Sequence, residues 1–76
     1  MRIDDIQFRI MQKQADLEEK KWWRDHFINR RSEMRKRNAP LAIIRRYDLD
    51  LMDVIEKINL VNIELADLKD RLLEPV

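Results

Sequence analysis

The chain has 76 residues, 41% of them charged and 45% hydrophobic, with no glycine, no cysteine and a net charge of +1. That length makes one domain at most and leaves a single core marginal without staples or a partner. The missing cysteine excludes disulfides and thiolate metal sites, and the missing glycine removes most small β folds and most nucleotide enzymes, whose tight turns and phosphate loops need it.

A chain rich in charged residues and in Leu and Ile matches the profile of long helices, so the expected class is all-α. Its longest uncharged run, Asn38 to Ile44, is seven residues, far short of the ~20 that a membrane-spanning helix needs. The start, Met1 to Asp5, lacks the apolar run of a secretory signal, which makes an intracellular setting, cytoplasm or organelle interior, the default expectation. Charge is unevenly placed. Residues 1–19 carry three basic and five acidic groups, residues 20–46 ten and two, and residues 47–76 three and eight. A basic middle therefore lies between acidic flanks.

The first helix is expected over about 3–38. Asp4 and Asp5 sit where the positive end of a helix dipole stabilises carboxylates. Ile3, Ile6, Ile10 and Leu17 make one apolar stripe, with Phe8, Met11, Ala15 and Trp22 as a second beside it. Trp22, Trp23, Phe27 and Ile28 form an aromatic segment. Adjacent helical residues diverge by about 100°, so the two indoles are not expected to share one contact. The plain reading makes them core anchors on a broad face; the sharper one makes an indole the anchor for a partner protein. Arg30, Arg31, Arg35, Lys36 and Arg37 follow, where cations offset the negative end of the dipole. Asn38 reads as the cap, and Ala39 before Pro40 is pushed out of helical geometry.

Residues 39–47 read as an unusually apolar connector, with Asp48 as the N-cap of a second helix over about 48–74 that Pro75 stops. This helix carries the strongest pattern in the chain. Leu51, Ile58, Leu65 and Leu72 recur every seven residues, and Val54, Val61 and Leu68 fall three after each of the first three. Such an a/d seam is the signature of a coiled coil and buries only against another helix. The expected architecture for residues 1–76 is an antiparallel helical hairpin, two long helices joined by the connector.

Folding about residues 39–47 sets Met34 near Met52, Phe27 near Asn59 and Leu17 near Lys69. It also brings the arginines toward Asp48, Asp50, Asp53 and Glu56. Residues 1 to about 10 then overhang, leaving Ile3, Ile6, Phe8 and Ile10 uncovered. Ile55, Leu60, Ile63 and Ala66 lie outside the seam of the last helix, with Asn59 and Asn62 as register-fixing or solvent-facing positions. The hairpin is therefore expected to be completed by oligomerisation or by docking in a larger assembly.

Catalytic chemistry is thinly supplied. His26 is the sole histidine and Ser32 the sole hydroxyl besides Tyr47, with no nucleophile, oxyanion or Glu-x-x-His spacing beside them. No enzyme activity, cofactor or metal is expected. The leading expectation is a protein–protein interaction or structural protein: a small subunit or adaptor of a larger assembly, or a homodimeric bundle. Ile3, Ile6, Phe8, Trp22, Trp23 and Phe27 would be its partner-binding residues. The alternative is RNA binding through residues 20–46, using Arg30, Arg31, Arg35, Lys36, Arg37, Arg45 and Arg46. Contact with an anionic membrane surface is the weakest reading. No motif ties the chain to a family, so the architecture alone lends no function.

Overall fold

A computed structural model describes residues 2–73. Two helices, α1 over Ile3–Lys36 and α2 over Leu41–Leu73, pack against each other along their length. There is no strand among the described residues. The all-helical hairpin is as the sequence led us to expect; its boundaries and register are not.

Helix α1 opens after Arg2, which is extended and offers no side-chain cap, with Asp4 and Asp5 in the first turn. It closes through Asn38, the one residue of positive φ (54°) among those described that is not glycine. The Asn38 amide donates to the Arg35 carbonyl at 3.1 Å, and the Ala39 amide reaches back to Met34 at 2.9 Å. This pair of bonds is the Schellman closure, in which a left-handed residue turns the chain so that its own amide and the next one satisfy carbonyls of the last turn. Asparagine tolerates that conformation better than most side chains, and glycine better still. Asn38→Ala should lower stability by about 1 kcal/mol and Asn38→Gly should leave it equal or raised. Urea melts of the two variants read the difference.

The connector is shorter than residues 39–47. Helix α2 begins at Leu41, and the Pro40 carbonyl accepts from Ile43 (3.0 Å) and Ile44 (3.3 Å). Asp48 is thus no N-cap. It lies inside the helix, seven residues past its start. The physical reason is continuity: nothing in Leu41–Tyr47 breaks a helix, and Ile44 and Tyr47 extend the seven-residue pattern of Leu51 and Val54 backwards. The expected stop at Glu74 and Pro75 lies outside the described residues.

Moving the turn moves the register. Arg31 pairs with Asp48 at 2.8 Å, and Lys13 pairs with Glu64. Helices of 34 and 33 residues therefore end level, and the overhang does not exist. Ile6 and Ile10, expected to be bare, are buried at 5% and 9% exposure in one cluster with Leu17, Leu51, Val54, Ile58, Val61, Leu65 and Leu68. Phe27 and Leu72 pack on its edge.

The seam of α2 is apolar throughout, whereas that of α1 is not. Between Ile6, Ile10, Leu17, Phe27 and Met34, its inward positions are filled by Lys13, Lys20, Arg24 and Arg31, all half-buried. Each pairs with a carboxylate: Glu64, Asp16, Asp25 and Asp48 respectively. Their aliphatic stems cover the core while the charges stay wet. Lys13→Leu should add about 1 kcal/mol to stability, because it fills the seam and leaves Glu64 with solvent access (38% exposed) rather than a buried lone charge. Thermal denaturation of that single variant is the check.

The resulting rod measures 59 × 14 × 13 Å, with a radius of gyration of 17.2 Å, against about 11 Å for a compact chain of this length. Two helices side by side cover one stripe of each and no more.

Candidate interaction surfaces

What the hairpin leaves uncovered is the material for function. On α1 the second stripe, Phe8, Met11 and Trp22, is 61%, 67% and 58% exposed. It lies on the outer side of the helix, where the wide-face reading had placed it next to the core. Trp23 is 42% exposed, so neither indole is a core anchor within this chain. Of the other expected partner-binding residues, Ile3 is 55% exposed, Phe27 is half-buried against the core, and Ile6 is buried by α2. Ile6 is therefore withdrawn from any partner surface, because the level register covers it.

The two indoles do meet. Their ring centroids are 4.9 Å apart and the planes cross at 89°. Long side chains swing toward each other about χ1 and χ2 even where the Cα–Cβ vectors diverge. His26, one turn on, stacks on Trp22 with centroids 5.1 Å apart and planes 8° off parallel. It also meets Trp23 edge-on at 5.6 Å, and Trp23 continues to Phe27 at 5.7 Å. His26 thus knits four rings into one patch, a role sequence reasoning missed; the spacing of Trp22 and His26, four apart on one helical face, was the signal for it. Edge-on and stacked pairs each contribute about 0.5–1.5 kcal/mol beyond area burial, which favours this arrangement of a patch that is half open to water. Between it and α2 lies a shallow open cleft lined by Asp16, Lys20, Trp23, Phe27, Asp50 and Val54.

On α2 the outward side is more apolar still. Leu49, Met52, Ile55, Leu60 and Ile63 are all exposed. Asn59 and Asn62 are both exposed, so they are not buried register positions within the hairpin.

The basic stretch gathers at the turn end of the rod. Of its seven named cations, Arg31 reaches across to Asp48 and Arg30 pairs with Glu33 along its own helix at 3.2 Å. Arg35, Lys36, Arg37, Arg45 and Arg46 pair with no carboxylate among the described residues. The expectation that Asp50, Asp53 and Glu56 would answer this cluster fails with the register: Asp53 pairs with Lys57 at 3.0 Å on its own helix.

No protein family, curated protein or solved structure matches this chain. Among the described residues no set of three or more His, Asp or Glu side chains is placed to hold a metal ion. No described helix is long and apolar enough to cross a membrane.

Proposed function

We propose that the chain is a non-enzymatic helical interaction protein, a small structural subunit or adaptor that works as part of a larger particle or as a homodimer. One observation carries this reading. With the hairpin fully zipped, both helices still present apolar side chains on their outer sides, Phe8, Met11 and Trp22 on one and Leu49 to Ile63 on the other. Isolated exposed apolar residues need no explanation, but contiguous ones on a small rod mark surfaces that other chains cover. The tryptophans, packed on each other and on His26 and Phe27, are suited to anchor contacts because less side-chain freedom is left to lose. The test is the size of the native particle. In gently lysed native cells the chain should run on a sizing column well above its 9.4 kDa mass; a peak at monomer mass would sink the reading.

A second reading is favoured by the open charge at the turn. Five cations without a carboxylate partner among the described residues, Arg35, Lys36, Arg37, Arg45 and Arg46, form an anion-attracting tip of the kind that engages a nucleic-acid backbone. RNA binding through this tip should weaken steeply with salt, with log K falling against log salt at a slope of about −0.7 per phosphate neutralised on a single strand. A flat salt titration excludes it.

A further inference from the structure

We infer that the outer side of α2 pairs, antiparallel, with the same side of a second copy of this chain. This rests on the interaction reading above and names the partner. At about 100° per residue, ten positions of α2 form an outward column opposite the Leu51–Leu68 seam. They are Ala42, Arg45, Leu49, Met52 and Glu56, followed by Asn59, Ile63, Ala66, Asp70 and Leu73. Their spacing alternates three and four from end to end, the same rule as the inner seam, and all ten are exposed. α2 thus carries two helix-pairing faces, of which the hairpin uses one.

The column is complementary to its own reverse. Place a two-fold axis midway between Lys57 and Ile58. Ala42 then meets Leu73 of the second copy, Leu49 meets Ala66, and Met52 meets Ile63. Glu56 meets Asn59, a carboxylate opposite an amide donor, and Arg45 meets Asp70. Each layer occurs twice by symmetry, as an isologous interface requires. On the flanks, Arg46 lies beside Asp67 of the second copy, a carboxylate that in the hairpin pairs with Arg71 of its own helix at 3.1 Å, and Lys69 lies beside Asp48, which already pairs with Arg31. Both cations of the unpaired N-terminal end of α2 thus find carboxylates.

Other arrangements fail on the same residues. Parallel pairing sets Arg45, Glu56 and Asp70 each against its own copy, which places like charges in contact. Sliding the antiparallel pair by one heptad puts Arg45 opposite Ile63 and Met52 opposite Glu56. One orientation and one register satisfy both the apolar and the charged layers, and a central polar layer is a known device for fixing register.

Light scattering on the purified full chain at about 100 μM and physiological salt is the test. The expected mass is twice 9.4 kDa. Met52→Glu with Ile63→Glu should give a monomer whose helical circular dichroism is unchanged, since both side chains are exposed in the hairpin. Arg45→Glu with Arg46→Glu should weaken dimerisation at least tenfold, and adding Asp67→Lys and Asp70→Lys should restore it. A helical wild-type monomer overturns the proposal, as does a dimer indifferent to the arginine reversal, which is what parallel pairing gives. A purified monomer beside a large native particle removes self-pairing and leaves the interaction reading standing; a native particle of monomer mass removes both.

Discussion

Val61→Asp is expected to unfold the hairpin. Val61 is the most deeply buried residue of the structure at 4% exposure, with Ile58 (7%) and Leu65 (5%) one turn to either side in the seam. Deleting its methyls forfeits transfer free energy, and the carboxylate adds the cost of burying a charge against a seam whose cations are already taken, Lys13 by Glu64 and Lys20 by Asp16. Either term alone is about 1–3 kcal/mol, and their sum reaches the whole stability of a domain this small. Circular dichroism at 222 nm should fall to a largely unfolded level at 25 °C. The control is Ile63→Asp, two residues along and 67% exposed, which should keep the wild-type helicity. Equal loss in both variants would mean that α2 is not oriented as described.

Removing residues 2–12 should destabilise the hairpin severely, not merely trim it. In the register inferred from sequence those residues overhang, and a shortened chain would keep its fold. In the structure they carry Ile6 and Ile10, and their loss bares Leu68 and Leu72 at the far end of α2. Two buried isoleucines correspond to roughly 3–6 kcal/mol of burial. The truncated chain should melt far below the full-length one, with amide exchange of residues 64–73 rising first. A truncation that melts with the parent would restore the offset register and undo the one drawn here.

These two experiments probe the parts of the fold that were most and least legible in sequence. The seam from Leu51 to Leu72 was fully readable, because seven-residue periodicity survives in any environment that buries one stripe. The end of α1 was readable too, since Asn38, Ala39 and Pro40 each restrict the backbone locally. The start of α2 was misplaced for a physical reason. Asp48 resembles an N-cap, and an aspartate at a helix start looks no different in sequence from one that answers an arginine across a seam. Ile44 and Tyr47 held the correction, standing seven before Leu51 and Val54. That seven-residue misplacement of the helix start generated the false overhang.

The α1 seam was harder to read, because its cations break the apolar pattern at Lys13, Lys20, Arg24 and Arg31. A lysine that spreads its stem over a core has the same letter as one in free solution. Of the surface, the outward position of Phe8 and Met11 and the contact of Trp22 with His26 needed the register and the rotamers. No residue-by-residue reading supplies these.

The level ends and the tight turn also set the order in which the molecule can assemble. Arg31 and Asp48 lie only 17 residues apart in the chain, so their encounter closes a short loop at small entropic cost. Contacts between Ile6 and the end of α2 span nearly the whole chain and become inexpensive only after the intervening turns have docked. Loop-closure entropy thus favours assembly as a zipper from residues 37–40 outward. The same gradient runs in reverse on opening: the termini part first and most often, and the turn last. A protease or exchange probe would therefore meet a molecule whose two ends differ in lifetime although their helices are equally regular.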